Sequence, residues 1–189
     1  MPFYDIAGLT VRMNNCGGRS EKQAIPYLAK NQDPEQHFDI DINVDKKRVE
    51  IAMREHPELN ANDWEYMLTG SDFYTDLIKF NGILLHSSCV VVDGVAYAFS
   101  ADSGTGKSTH TQLWLKHFGD RAYILNDDKP AIREIDGKIY ACGTQMEQAA
   151  LCTALVAGIC MDSKDPAETI INIMTAAADL MDRMEETHQ

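Results

Sequence analysis

The most informative segment of the chain is the octapeptide Ala101-Asp102-Ser103-Gly104-Thr105-Gly106-Lys107-Ser108. It has the pattern of a phosphate-binding loop in which alanine takes the place of the usual first glycine. Gly104 and Gly106 permit backbone conformations that turn successive N–H groups inward onto phosphate oxygens. Lys107 would reach the β- and γ-phosphates of a nucleotide, and the Ser108 hydroxyl would bind Mg²⁺. The predicted nucleotide-binding residues are Asp102, Ser103, Gly104, Thr105, Gly106, Lys107, Ser108 and Thr109.

The segments on either side of this loop predict the structure that such a site requires. Residues 95–99 predict a strand leading into the loop, and residues 108–118 predict a helix whose positive N-terminus would face the bound anion. Two hairpin signals, Asp93-Gly94 and Asp136-Gly137, flank the loop on its two sides. Because hairpins join antiparallel strands, we predict a mixed sheet, in contrast to the all-parallel sheet of ordinary P-loop NTPases.

Two adjacent carboxylates follow the next predicted strand, at residues 122–125, which ends in Asn126-Asp127-Asp128. Neighbouring carboxylates at a strand end diverge, so one can hold Mg²⁺ while the other accepts a proton from an attacking hydroxyl. The alternative is a solvated turn, because Asn-Asp-Asp before Lys-Pro is also turn chemistry. After a phosphate loop we favour the functional interpretation.

The histidines of this region are weaker signals. His86 ends a predicted strand at residues 83–85, where a lone histidine is commonly a hydrogen-bonded structural residue. His110 and His117 are predicted to lie on the surface of the helix after the loop. Trp114 of the same helix is predicted to lie in the core.

The rest of the chain predicts helices and one further strand. Alternating apolar residues over 38–44 predict a half-buried strand. A long helix is predicted near the end of the chain, where Asp165 and Pro166 form a good start signal and methionines on its apolar face serve packing. Residues 146–160 fit either a helix or a strand. The predicted helices cover 45–55, 63–68 with a stop at Gly70, 71–80 with Ser71 as N-cap, and 166–186.

Length and composition limit the classes of protein. The 189 residues predict a single α/β domain, with an N-terminal α/β portion (1–80), a nucleotide-binding core (81–144) and a mostly helical tail (145–189). The formal charge of −12 argues against nucleic-acid or membrane-surface partners, since both are anionic. Five cysteines without a CxxC pair indicate reduced thiols, and no signal peptide or spanning segment is evident, so we predict a cytoplasmic protein.

Several motifs together resemble a known group, the HPr kinase/phosphorylase and phosphoenolpyruvate-carboxykinase-like P-loop proteins, and within it the small HPr-kinase-related bacterial proteins. The matching residues lie between Gly82 and Thr144. They are Leu85-His86-Ser87-Ser88, the hairpin at Asp93-Gly94, the loop at 102–108 and Leu125-Asn126-Asp127-Asp128, with a looser match over 66–74.

This resemblance implies an α/β fold with a mixed-sheet P-loop kinase core and flanking helices. It also implies catalytic roles for Asp127 as general base, for Lys107, and for His86 close to the phosphates. Ser108 and Asp128 would be the metal ligands. The chain departs from the group after Thr144, where Gln145-Met146-Glu147-Gln148 replaces a Pro-Trp-Ser-Gly-like segment and a longer C-terminal part.

The leading functional prediction is an ATP- and Mg²⁺-dependent phosphotransferase that moves the γ-phosphoryl group to a hydroxyl, such as serine in a protein or peptide, or to a small molecule. ATP could be replaced by another nucleoside triphosphate or pyrophosphate, and a homo-oligomer is compatible with the sequence. The first alternative is a non-catalytic nucleotide-binding or partner-binding module with a shortened C-terminal part. A second alternative is removal of phosphate from a phosphoserine, because the HPr enzymes act in both directions.

Overall fold

The protein is a mixed α/β structure with four α-helices and two sheets in the described residues. The computed structural model describes residues 1–14, 18–144 and, for the backbone, 153–160. The helices are α1 (Gly18–Ala24), α2 (Lys46–Glu55), α3 (Ala61–Leu77) and α4 (Lys107–Phe118). The strands are β1 (Phe3–Ile6), β2 (Leu9–Met13), β3 (Ile40–Ile42), β4 (Gly82–Leu84), β5 (Ser87–Val92), β6 (Val95–Ser100), β7 (Ala122–Asn126), β8 (Ala131–Ile135), β9 (Lys138–Cys142) and β10 (Thr153–Cys160).

The first sheet contains β1, β2 and β3. A hairpin joins β1 to β2, and β3 lies parallel to β2. The predicted alternation over 38–44 is confirmed in part, because Ile40, Ile42 and Val44 are buried although the regular strand is shorter than the alternating segment. The prediction for α2 is also confirmed, since the Asp45 side chain caps this helix by accepting a hydrogen bond from the Arg48 N–H at 2.8 Å.

The second sheet has seven strands in the order β4-β8-β9-β10-β6-β5-β7. Its pairs are antiparallel except for β10 with β6, so the predicted mixed sheet is confirmed. Both predicted hairpin turns are present, with positive φ at Asp93, Gly94, Asp136 and Gly137. Because β5 runs antiparallel to both β6 and β7, the last residues of these two strands lie beside the first residues of β5.

Hydrogen bonds continue the strand pairing across the gaps between named strands. The Leu85 N–H donates to the Pro130 carbonyl at 3.2 Å, and the Ser87 N–H donates to the Asp128 carbonyl at 3.0 Å. The segment from β4 to β5 therefore runs antiparallel to the segment from β7 to β8 over most of its length. This pairing places His86 across from residues 127–130.

Helix α3 corrects a prediction. The sequence predicts two helices, over 63–68 and 71–80, separated at Gly70 and with Ser71 as the second N-cap, but α3 is continuous from Ala61 to Leu77. Its N-cap is Asn60, whose side-chain oxygen accepts hydrogen bonds from two backbone N–H groups of the first turn. An interior glycine costs a helix about 1 kcal/mol, and burial of Phe73 and Leu77 beyond Gly70 outweighs that cost.

The two sheets share part of one apolar core. Ile6 and Met13 of the first sheet, Phe73 of α3 and Ala131 of the second sheet belong to the same buried cluster. A second cluster lies around β5, β6 and β7. No helix in the described part of the chain combines the length and apolar character needed to cross a membrane.

Other predictions fall partly outside the described residues. The tail helix over 166–186 lies outside them, whereas the ambiguous segment 146–160 contains a strand, β10, in its described part. Cys89 and Cys142 are buried and form no disulfide within the described residues, in agreement with the predicted reduced thiols. Trp114 is only half-buried, and it packs against Tyr97 and Phe99 on the surface of β6 instead of in the core.

Candidate functional site

The phosphate-loop segment forms a tight, exposed turn between β6 and α4, as its sequence predicts. Gly104 and Gly106 have φ of +82° and +92°, in the left-handed region that favours glycine. The Thr105 N–H and hydroxyl both bond to the Asp102 carbonyl, at 3.3 and 2.8 Å. Helix α4 begins at Lys107, so its N-terminal N–H groups open into the loop.

The Lys107 side chain folds back over the loop. Its Nζ donates to the Ala101 carbonyl at 2.9 Å and to the Asp102 carbonyl at 3.2 Å. Ser108 and Thr109 follow in the first turn of α4, and both are exposed. Lys107 and the exposed hydroxyls of Ser108 and Thr109 therefore lie at a helix N-terminus, which is a favourable arrangement for an anion.

The two carboxylates after β7 diverge, as predicted. One oxygen of Asp127 accepts a hydrogen bond from the Ser88 hydroxyl at 2.5 Å. Asp128 turns elsewhere: its Oδ1 lies 3.6 Å from His86 Nε2, and its Oδ2 is paired with the Lys129 ammonium. Within the described residues, the Ser88 bond to Oδ1 is the hydrogen bond that anchors the Asp127 carboxylate.

The candidate carboxylates Asp127 and Asp128 lie in a turn that the Asn126 side chain stabilises. The Asn126 side-chain oxygen accepts hydrogen bonds from the Asp128 N–H at 3.0 Å and the Lys129 N–H at 2.8 Å, which is the turn chemistry that the sequence also allows. The amide nitrogen of Asn126 is buried and has no partner among the described residues. An unpaired buried donor costs about 1–3 kcal/mol, a cost that native structures accept for a reason such as a functional constraint.

One hydrogen-bonded bridge and one looser contact connect the carboxylates to the loop and its helix. In the first, Ser88 bonds both to Asp127 and, at 2.7 Å, to the Thr111 hydroxyl of α4. Ser88 and Thr111 are buried, so these bonds are shielded from water. In the looser contact, which is exposed, the Ser100 hydroxyl donates to the His86 backbone carbonyl at 3.0 Å, and His86 Nε2 lies 3.6 Å from Asp128 Oδ1.

The structure thus brings His86, Lys107, Ser108, Asp127 and Asp128 to one region, the end of β6 and β7 and the start of β5. His110 and His117 are exposed on α4, as predicted. Sequence reasoning missed the bridging residues Ser88, Ser100 and Thr111 and the Lys129 partner of Asp128. The serine pair at the start of the apolar β5 strand was a usable signal, because a buried hydroxyl needs a partner.

Tyr74 of α3 fixes the segment behind the carboxylates. Its hydroxyl donates to the Lys129 carbonyl at 2.7 Å and lies 3.1 Å from the Thr144 hydroxyl. Burial raises the pKa of Tyr74 well above its ordinary value, although the Thr144 hydrogen bond opposes that shift. Helix α3 and the turn at residues 126–129, which carries the two carboxylates (the carboxylate turn), are therefore held together by a neutral tyrosine.

Replacing Tyr74 with phenylalanine should lower the free energy of unfolding by about 1 kcal/mol at pH 8, because the Lys129 carbonyl loses its donor. That difference should shrink above pH 10. There the unfolded chain ionises its tyrosine at about 10 while folded Tyr74 stays protonated, so only the wild type loses this contribution as the pH rises. Urea denaturation of both proteins between pH 8 and 11 measures the difference, and a constant difference would contradict the burial of a neutral Tyr74.

Comparison with protein families and with curated proteins does not identify a family for this chain. Neither the scan of protein-family models nor the search of curated proteins finds a match. Function is therefore inferred from the side chains and contacts of the site.

Proposed function

We propose that the protein is an ATP- and Mg²⁺-dependent phosphotransferase of the HPr-kinase-like type, which transfers the γ-phosphoryl group to a hydroxyl. The observation that supports this most is the hydrogen-bonded bridge Thr111–Ser88–Asp127, in which Thr111 and Ser88 are buried, together with the exposed contact of His86 with Ser100 and Asp128. They couple a phosphate-loop geometry to two carboxylates in different surroundings. A simple solvated turn would not require that coupling.

The donor set at the site fits Mg²⁺. The Ser108 hydroxyl and the Asp128 carboxylate are hard oxygen ligands, and Mg²⁺ usually takes one or two protein oxygens while phosphates and waters fill its remaining positions. Among the described residues, no group of three or more His, Cys, Asp or Glu side chains is arranged as a full protein cage. When bound, Mg²⁺ would neutralise charge on the phosphate oxygens of the nucleotide.

The side chains supply distinct parts of the transfer. Lys107 and the N–H groups of the loop would stabilise negative charge on the transferred group. Asp127 is anchored through one oxygen by Ser88, and its other oxygen would take the proton of the acceptor hydroxyl. The acceptor oxygen forms a bond to the γ-phosphorus, the bond to the β–γ bridging oxygen breaks, and ADP leaves with that electron pair.

The test is a titration of the protein with ATP and Mg²⁺ by calorimetry, followed by incubation of γ-labelled ATP with hydroxyl acceptors. Saturable binding and labelled acceptor would support the proposal. Binding without ATP consumption or transfer would overturn it in favour of a non-catalytic nucleotide-binding module. Absence of binding would overturn the nucleotide site as well.

Replacing Gly106 with alanine tests whether the loop conformation serves the ligand. A Cβ at Gly106 meets no atom within 4 Å, so the cost is backbone strain of about 1 kcal/mol. Gly94 is the matched control, because it has φ of +81° in a hairpin turn and equal space for a Cβ. Urea denaturation should show similar destabilisation for both variants, whereas calorimetry should show weaker ATP binding for Gly106→Ala alone. Equal affinity in the two variants would contradict the role of the loop.

A further inference from the structure

A groove runs from the carboxylate turn along the side of α3. Its volume is about 510 Å³, and Asp128 and Lys129 form one end of it. Met67 lies on its α3 side with 48% of its surface exposed, while Ile83 and Leu84 of β4 form the opposite wall. The volume falls within the range of about 300–1,000 Å³ that is typical of small-ligand sites.

The groove is held at a fixed position relative to the catalytic carboxylates. Tyr74 lines it, and the tyrosine hydroxyl bonds to the Lys129 carbonyl, so the helix wall and the carboxylate turn cannot separate without breaking that bond. Asp128 lines the groove, whereas Asp127, its neighbour in the chain, bonds toward α4 through Ser88. The two carboxylates therefore stand between the groove and the helix that follows the phosphate loop.

We propose that this groove is the acceptor site, and that it takes a primary hydroxyl carried next to an uncharged, apolar body. This inference rests on the phosphotransferase function proposed above. An acceptor lying in the groove presents its hydroxyl at the Asp128 end, beside Asp127. Its oxygen then attacks the γ-phosphorus and its proton passes to the Asp127 carboxylate, with ADP as the leaving group.

The lining determines the chemistry of the acceptor. Its walls are mostly apolar, and its charged members among the described residues are one cation, Lys129, and the Asp128 carboxylate directly beside it. An anionic acceptor would meet a single cation next to a carboxylate among the described lining residues, whereas an apolar body would remove the exposed surface of Met67 from water. Ser71 and Thr75, which also line the groove, are exposed residues of α3. Their hydroxyls could form hydrogen bonds with the backbone of a peptide acceptor or with a polar group of an alcohol.

The experiment fills the groove and measures acceptor use and ATP binding separately. Thr75→Trp places a large side chain in the groove from an exposed helix position, so the fold should tolerate it. Ile51→Trp is the control, because Ile51 is an exposed residue on α2 outside the lining of this groove. Thr75→Trp should raise KM for the acceptor about tenfold or more with little change in ATP affinity, and Ile51→Trp should change neither.

The acceptor probes are N-acetyl-Leu-Ser-Leu-amide, N-acetyl-Gly-Ser-Gly-amide and 2-phenylethanol. The leucine peptide should be phosphorylated with a kcat/KM about tenfold or more above that of the glycine peptide, because only the former fills the apolar walls. Efficient phosphorylation of 2-phenylethanol, and not of the leucine peptide, would show that the acceptor with the apolar body is a small alcohol. Equal use of both peptides, or unchanged kinetics in Thr75→Trp, would overturn the groove as acceptor site.

A binding readout separates failure of the groove from failure of the phosphotransferase. With ¹³C-methyl methionine labelling, the Met67 signal, assigned by Met67→Leu, should shift when the leucine peptide is added. A shift without any phosphate transfer would support the groove as a binding site and count against the proposed activity alone. Absence of a shift at saturating peptide would overturn the groove, whatever the protein does with ATP.

Discussion

Replacing Lys107 with alanine should weaken binding of Mg²⁺-ATP about 100-fold. Lys107 is the one cation within residues 101–108 of a chain whose formal charge is −12, so its loss leaves the backbone N–H groups to offset the phosphate charge alone. A charge-assisted hydrogen bond contributes about 1.5–3 kcal/mol, which corresponds to a factor of about 10 to 150 in affinity. Calorimetric titration of wild type and variant at one ionic strength measures the change.

The control for this prediction is Lys116→Ala, which removes the same charge from the last turn of the same helix. It should leave ATP affinity within about a factor of two, because exposed charges beyond a Debye length of about 10 Å are largely screened. The Lys107 ammonium bonds to exposed carbonyls of its own loop, so its removal should also have little effect on urea denaturation. Equal weakening by both variants would show that net charge, and not the loop, governs binding.

The loop and its surroundings could be predicted because local chemistry determines them. Gly106 ends the loop with a positive φ that few other residues adopt, and Asp93-Gly94 makes a hairpin turn for the same reason. These signals need no information from distant parts of the chain. The antiparallel pairs of the sheet then follow from the hairpins, whereas the parallel pair of β10 with β6, which makes the sheet mixed, involves a segment whose sequence fits either a helix or a strand.

The two halves of the site come together through long-range pairing, which the sequence does not reveal. Ser88 and Thr111 are 23 residues apart, and their contact depends on α4 packing against β5. Tyr74 reaches Lys129 across 55 residues for the same kind of reason. Their residue types are enough to identify Asp127 and Asp128 as candidates. Which side chains contact each of them depends on the register of β5 against β7, which the sequence alone does not give.

The error at Gly70 has a different origin. Glycine followed by serine is a good local signal for one helix ending and another beginning. Burial of Phe73 and Leu77 on the far side of Gly70 overrides it, since each fully buried side chain of this size contributes about 1.5–3 kcal/mol against a glycine cost of about 1 kcal/mol. The continuous helix also forms one whole wall of the proposed acceptor groove.

Replacing Asp127 with asparagine should lower phosphate transfer by a factor of about 10² to 10⁴ while Mg²⁺-ATP affinity changes little. Asparagine keeps an oxygen that can accept the Ser88 hydrogen bond, so the bridge to α4 survives. Its amide cannot take the proton of the acceptor hydroxyl. Single-turnover transfer of label from γ-labelled ATP to a hydroxyl acceptor measures the rate, and calorimetry measures the affinity. Unchanged transfer would remove Asp127 from the role of general base.

Asp128→Asn separates this role from metal binding. Asp128 is paired with Lys129 and faces His86, and as a metal carboxylate its loss should weaken Mg²⁺ binding, so that raising the Mg²⁺ concentration restores much of the transfer rate. No concentration of Mg²⁺ should restore Asp127→Asn, because a missing proton acceptor cannot be replaced by a cation. The opposite pattern, with rescue of Asp127→Asn and none of Asp128→Asn, would exchange the two roles: Asp127 would then serve the metal beside α4, and Asp128, at the end of the groove, would receive the acceptor proton.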